Sequence, residues 1–87
     1  MVILRNLKIK DKLIYFDYFP EDENDPGHVV YDPYKEKVIS HVLSSYEKDF
    51  SGTSPYFYYA VRKLERVLDS SEYKEKGFSD EYTAYWC

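Results

Sequence analysis

The chain has 87 residues, of which 44% are hydrophobic and 20% aromatic, and its 12 basic and 16 acidic side chains give a formal net charge of −4. This composition is too apolar for an intrinsically disordered chain, and the length predicts a single folded domain over residues 1–87. The net charge disfavours tight binding to the phosphate backbone of a nucleic acid.

Cysteine content and the lack of long apolar runs indicate in which cellular compartment the protein is expected. Cys87 is the only cysteine, so no disulfide forms within the chain. Small exported domains commonly depend on disulfides, so we expect a reducing compartment, the cytoplasm. No apolar run is long enough for a membrane-spanning helix, and the N-terminus lacks the apolar core of a signal peptide. We therefore expect no membrane association.

Four strands are predicted in the first half of the chain. The first runs from Val2 to Ile9, and the second from Leu13 to Phe19. Pro20 ends the second strand, because proline cannot donate a hydrogen bond to a neighbouring strand. The third runs from His28 to Tyr31 and the fourth from Lys37 to Leu43. The short connections between these segments predict an antiparallel meander.

The second predicted strand is apolar on both faces. Alternation places Ile14, Phe16 and Tyr18 on one face. The opposite face receives Leu13, Tyr15, Asp17 and Phe19. A strand of this kind is expected at the centre of a sheet.

A helix is predicted from Pro55 to about Asp69, after a polar connection over residues 44–52. Ser54 is placed as the N-cap, and Pro55 suits the first helical position because its missing N–H has no partner there. Apolar residues at helical spacing form one stripe: Phe57, Ala60, Val61, Leu64, Val67 and Leu68. Ser70, Ser71 and Gly77 mark the exit from the helix.

The fold class predicted from these elements is α+β. We expect an antiparallel sheet of four or five strands, made by the meander and a C-terminal strand, with one helix packed on one face. The C-terminal strand, Tyr82 to Trp86, should pair with an edge of the sheet and place Trp86 against the core. Burying so large a ring outweighs the tendency of terminal segments to fray.

No motif in the sequence specifies catalysis, a cofactor or a metal site. The nucleophile elbow G-x-S-x-G is absent, and Gly27, Gly52 and Gly77 lie too far apart to form a phosphate-binding loop. His28 and His41 fall on strands that we expect to pair, so they could supply two ligands to zinc or copper if the register placed them side by side. No third ligand is specified. We expect a protein that is not an enzyme and binds neither cofactor nor metal.

An acidic segment connects the second and third strands. Its carboxylates are Glu21, Asp22, Glu23 and Asp25. Pro26 and Gly27 break the spacing of a calcium-binding loop, so a solvated hairpin loop is the main interpretation. An alternative is that these carboxylates, with the neighbouring Asp17 and Asp32, mimic nucleic acid and bind a basic partner.

The aromatic strand face predicts an interaction surface, since one helix covers only one side of the sheet. The other side would need a second protomer, a protein partner, or charged side chains lying over the rings. The residues we expect to make the contact are Tyr15, Asp17, Phe19 and Tyr58. Tyr58 belongs to a cluster with Tyr56 and Tyr59, for which packing at the helix–sheet margin is the main interpretation and a contact patch the alternative. We therefore expect a small non-catalytic interaction module that binds a protein or itself and does not bind nucleic acid directly.

Three stretches of the sequence carry a resemblance to a known group. They are IYFDYFPED from Ile14, GHVVY from Gly27, and the pair Tyr59-Ala60 in the helix. With these the chain resembles small uncharacterised proteins of bacterial mobile elements. The resemblance covers the hairpin core and the start of the helix, and it implies a cytoplasmic bacterial origin. It implies no site residues, because no activity is established for that group.

Overall fold

The computed structural model describes residues 1–21, 24–48 and 52–86. These residues form five strands and three helices: β1 (Val2–Lys10), β2 (Leu13–Pro20), β3 (Gly27–Asp32), β4 (Lys37–Val42), α1 (Ser45–Lys48), α2 (Pro55–Asp69), α3 (Ser71–Lys76) and β5 (Glu81–Ala84). The strands make one antiparallel sheet in the order β4-β3-β2-β1-β5. The predicted α+β class is confirmed, with α2 packed on one face of the sheet.

The core lies between α2 and the sheet face that it covers. The fully buried side chains of this layer come from three strands and the helix: Val2, Leu4, Ile14, Phe16, Tyr18, Val29, Tyr31, Ala60 and Leu64. The apolar stripe predicted for α2 is therefore the face that packs on the sheet, and the helix has the predicted bounds. β2 is the central strand, as its two apolar faces predict.

Two short helices lie where the sequence predicted irregular chain. α1 falls within the predicted polar connection, and α3 starts where the chain was expected only to leave α2. Ser70 joins α2 to α3, because its hydroxyl donates to the carbonyl of Val67 at 2.6 Å and accepts from the N–H of Tyr73 at 3.2 Å. Neither helix has an apolar stripe long enough to be recognised from sequence.

The N-terminus of α2 is capped by Glu47, which lies on α1, and not by Ser54. The Glu47 carboxylate accepts from the N–H of Tyr56 at 2.7 Å and from the N–H of Phe57 at 3.1 Å. The side chain of Ser54 makes no capping hydrogen bond. Glu47 is only 1% exposed. A buried carboxylate requires such donors, and the positive end of the helix dipole stabilises it further.

Tyr18, at the centre of the sheet, connects the core to α1. Its hydroxyl accepts a hydrogen bond from the N–H of Ser44 at 3.1 Å, directly before α1 begins. Burial, together with the nearby Glu47, raises the pKa of this hydroxyl well above its ordinary value. The ring of Tyr18 lies over Gly27, where an added Cβ would stand 2.1 Å from a ring carbon. Glycine is therefore required at position 27 by this close approach.

Replacing Glu47 tests which side chain caps α2. We expect Glu47→Ala to lower the free energy of unfolding by about 2–3 kcal/mol, because two backbone N–H groups lose a charged acceptor. Ser54→Ala should change it by less than about 0.5 kcal/mol. Urea denaturation followed by circular dichroism measures both. A larger loss for Ser54→Ala would contradict the assignment of the cap to Glu47.

Alanine at position 27 tests the contact with Tyr18. We expect Gly27→Ala to cost about 3 kcal/mol, since the Tyr18 ring is fully buried and the new methyl group would overlap it. Gly77→Ala is the control, because no atom lies within 4 Å of its added Cβ and only its φ of 78° opposes a side chain. The control should cost about 1–2 kcal/mol. Equal losses of unfolding free energy for the two variants in urea denaturation would show that the contact with the Tyr18 ring does not cause the destabilisation of Gly27→Ala.

Candidate functional site

The sheet face opposite α2, which we call the open face, carries the aromatic residues singled out in the sequence. Strand register places eight side chains together at its centre: Ile3, Arg5, Lys8, Tyr15, Asp17, Phe19, His28 and Val30. Among the described residues, no helix packs on this face. Three of the four predicted contact residues, Tyr15, Asp17 and Phe19, are therefore neighbours on one surface.

Cationic side chains lie over the two rings of the open face. The guanidinium carbon of Arg5 is 5.1 Å from the centre of the Phe19 ring, and the Lys8 ammonium is 5.9 Å from the centre of the Tyr15 ring. Both rings are half-buried. An exposed cation–π contact contributes only about 0.5–1 kcal/mol, so a partner could displace Lys8 from the Tyr15 ring at small cost, whereas displacing Arg5 would also disturb its contact with Glu81.

A row of polar contacts crosses the open face beside the rings. Arg5 Nε donates to Glu81 Oε1 at 3.1 Å. The carboxylate of Asp17 has a partner on each side. Asn6 Nδ2 donates to it at 2.7 Å, and His28 Nδ1 lies 2.7 Å from its other oxygen. Asn6 reaches Asp17 because a bulge interrupts the β1–β2 pairing between Arg5 and Lys8, and its φ of 60° is one that asparagine tolerates.

His28 and His41 lie on opposite faces of the sheet. His28 pairs with Val42 across β3 and β4, so the adjacent His41 points to the α2 side. There the imidazole of His41 stacks on Phe57, with ring centres 4.5 Å apart. The two histidines therefore do not form a ligand pair, and the described residues contain no group of three metal-ligating side chains.

The carboxylates that were predicted to mimic nucleic acid bind groups of the same chain wherever the structure describes their contacts. Glu21 accepts hydrogen bonds from the N-terminal ammonium group and the Tyr56 hydroxyl, and mainly the first of these lowers its pKa. Asp32 accepts from the N–H groups of Tyr34 and Lys35 and closes the β3–β4 turn. Asp25 is exposed. Asp22 and Glu23 lie outside the described residues.

Tyr58, the fourth predicted contact residue, lies on α2 and is separated from the open face by the sheet. It ends an array of neighbouring rings around the start of α2, with centre-to-centre distances of 5.5 Å for Tyr46–Tyr56, 5.2 Å for Tyr56–Trp86, 4.4 Å for Trp86–Tyr59 and 5.2 Å for Tyr59–Tyr58. We call these five rings the aromatic array. Tyr58 is 51% exposed, and Arg62 donates to its hydroxyl at 2.9 Å.

The aromatic array explains how the C-terminal segment docks. β5 pairs antiparallel with β1, and Trp86 beyond it stacks on Tyr59 with an angle of 13° between the rings. The predicted docking of the segment is confirmed, although the strand itself ends at Ala84. Of the tyrosines at the start of α2, Tyr56 and Tyr59 therefore pack against Trp86, in line with the packing interpretation of this cluster.

A groove between α2 and β5 was not recognised from the sequence. It has a volume of about 530 Å³, and Arg62, Lys63 and Arg66 line its α2 side. From sequence alone these residues were simply the polar side of an amphipathic helix. Their convergence with β5 follows from the pairing of β5 with β1, which helical periodicity does not predict.

Comparison with known proteins gives no relative for this chain. No protein-family model, curated protein or solved structure matches it. The open face is accordingly identified from its geometry. Within residues 1–21, 24–48 and 52–86, no helix is long and apolar enough to cross a membrane.

Substituting Trp86 tests the docking of the C-terminal segment. Trp86→Ala removes the stack on Tyr59 and the edge contact with Tyr56, and we expect a loss of about 2 kcal/mol. The melting temperature should then fall by roughly 8–16 °C. Tyr85→Ala is the matched control, because Tyr85 is adjacent in sequence and 78% exposed. Equal melting temperatures for both variants, with water-like Trp86 fluorescence in the intact protein, would contradict the docking.

Proposed function

We propose that the protein is a small non-catalytic interaction module that binds a protein partner, or a second copy of itself, through the open face. One observation carries the proposal: α2 covers a single side of the sheet, and on the other side the half-buried rings of Tyr15 and Phe19 lie under the cationic side chains of Lys8 and Arg5. Aromatic rings that combine apolar area with polar edges are enriched at protein interfaces.

Binding at the open face would proceed by replacement of the cationic cover. Apolar side chains of a partner would displace Arg5 and Lys8 from the rings, and the long stems of both residues would allow the charges to move to the rim. The fixed carboxylate of Asp17, held by Asn6 and His28, would then supply a directional polar contact. Such an arrangement places apolar contacts at the centre of an interface and polar ones beside them, as in known complexes.

The dimensions of the open face support binding rather than catalysis. The depression beside Asp17 and His28 measures about 200 Å³. Pockets that enclose a small-molecule substrate commonly range from about 300 to 1,000 Å³. The Asp17–His28 pair therefore stands on a shallow surface better suited to contact with another protein.

Acidic mimicry of nucleic acid has less support as an alternative. Three of the carboxylates already bond to a group of the same chain: Asp17, Glu21 and Asp32. Their negative charge is therefore partly satisfied and less available to a basic partner. We also propose a cytoplasmic location, supported by the presence of only one cysteine, Cys87.

Removing the rings tests the proposed surface. The double variant Tyr15→Ala/Phe19→Ala should lose partners that the tagged wild-type protein retains from a lysate of its source at high salt. It should also lose any concentration-dependent dimer seen in sedimentation. Retention at high salt is expected because apolar contacts resist screening, whereas charge pairs between exposed groups weaken.

Tyr34→Ala is the matched control for this experiment, since Tyr34 is 94% exposed and lies in the β3–β4 turn, away from the rings. It should leave both association and partner capture unchanged. Circular dichroism of each variant confirms that folding is retained. A wild-type protein that stays monomeric and captures partners only at low salt, with no effect of the double variant, would contradict the proposal and favour mimicry.

A further inference from the structure

The two edges of the sheet differ in how they are protected from pairing with another strand. β4 begins with Lys37, and its pairing with β3 is interrupted by a bulge between Val30 and Tyr31. Lysine and bulges are common devices that prevent an edge from accepting a further strand. β5, with the sequence Glu-Tyr-Thr-Ala, has neither device and no proline. Among the described residues, no strand pairs with the outer edge of β5.

The helix α2 runs alongside this free edge in the opposite direction. Trp86, beyond the end of β5, contacts Tyr59 in the first turns of α2. Tyr82, near the start of β5, faces the last turn of α2, where it lines a groove with Val67 and Ser70. This groove, about 360 Å³, continues the larger one of about 530 Å³, and both contain Lys63 and Arg66.

The groove beside β5 carries an excess of positive charge. Arg62, Lys63 and Arg66 line it, and Glu72 is the only carboxylate among the described residues that line its two parts. No described carboxylate lies within 4.0 Å of these three cations. The groove is thus electropositive in a chain whose formal net charge is −4.

The spacing of these cations matches that of an extended strand. Arg62 and Arg66 are four residues apart on a helix, which separates them by about 6 Å along its axis. Side chains on one face of a β-strand are separated by about 6.7 Å. Carboxylates at alternate positions of a strand added to β5 would therefore face successive arginines.

We propose that the edge of β5 and the adjacent basic groove bind an extended acidic segment of another protein by strand addition. Main-chain hydrogen bonds to β5 hold the segment, and carboxylates at alternate positions pair with Arg62 and Arg66, while Lys63 adds to the positive charge of the groove. This site is distinct from the open face and does not rest on the function proposed for that face.

Single-stranded nucleic acid fits the groove less well than an acidic strand. Binding of single strands depends on ring faces free to stack on bases. In this groove Trp86 is already stacked on Tyr59, and Arg62 lies over the ring of Tyr58. The free main-chain edge of β5 has a natural partner in a peptide backbone and none in a nucleic acid.

The test measures binding of designed peptides to the intact protein by fluorescence anisotropy. The probe is a fluorescein-labelled repeat of Thr-Glu about eight residues long. Its charge-reversed counterpart is a Thr-Lys repeat of equal length. Two further Thr-Glu peptides carry backbone N-methyl groups, one peptide at every Thr and the other at every Glu. Each keeps the charge of the parent peptide but loses the N–H donors along one of its two edges.

Matched protein variants separate the groove from overall charge. Arg62→Glu/Arg66→Glu reverses two charges in the groove, and Lys74→Glu/Lys76→Glu makes the same change on α3, where neither residue lines the groove. Melting temperatures establish that both variants are folded. The N-methylated peptides are tested on the unaltered protein, so that arm does not depend on a variant that must fold.

We expect the Thr-Glu peptide to bind and the Thr-Lys peptide not to bind. Arg62→Glu/Arg66→Glu should weaken binding by about tenfold or more, and the α3 variant by less than about twofold. One of the two N-methylated peptides should lose binding and the other should keep it. The proposal is overturned if no Thr-Glu peptide binds, if both N-methylated peptides bind equally, or if an oligothymidine strand binds more tightly at this groove than the peptide.

Discussion

The carboxylate of Glu47 links the start of α2 to α1 and to the centre of the sheet, and the apolar stripe of α2 then divides the sheet into a covered and an open face. The carboxylate is buried, it caps the first N–H groups of α2, and it lies beside the Tyr18 hydroxyl at the centre of the sheet. Desolvation of a carboxylate is costly, so the site is stable only when these donors are in place together. The short helix α1 therefore has a structural role out of proportion to its length.

The sequence was sufficient to predict elements whose apolar residues recur at regular spacing. It was insufficient to predict contacts between residues that are far apart in the chain. The apolar stripe of α2, the two-sided apolar pattern of β2 and the docking of Trp86 follow from periodicity and from the free energy of burying large rings. The role of Glu47 does not, because a glutamate in a polar connection resembles any solvated residue. Its partners become neighbours only after the chain has folded.

The candidate site shows the same limit. Alternation along β2 brings Tyr15, Asp17 and Phe19 to one face from sequence alone. The cations that cover these rings belong to β1, and their placement depends on register and on the bulge at Asn6. Tyr58 is not a neighbour of these three residues, because rings on α2 lie across the sheet from those on the open face of β2. Tyrosines thus serve two surfaces and the core, and their number alone does not locate a site.

The pairing of β5 with β1 joins parts of the chain that are far apart in sequence, with Val2 opposite Ala84. During synthesis, β1 leaves the ribosome long before β5 exists. In that interval β1, which begins with the aliphatic residues Val2, Ile3 and Leu4, is an outer strand with unpaired N–H and C=O groups, the form in which strands associate with other chains. Closing a contact of such long range is slow compared with forming local hairpins. Until that contact closes, the β1 edge is open to pairing either with β5 of the same molecule or with a strand of another chain.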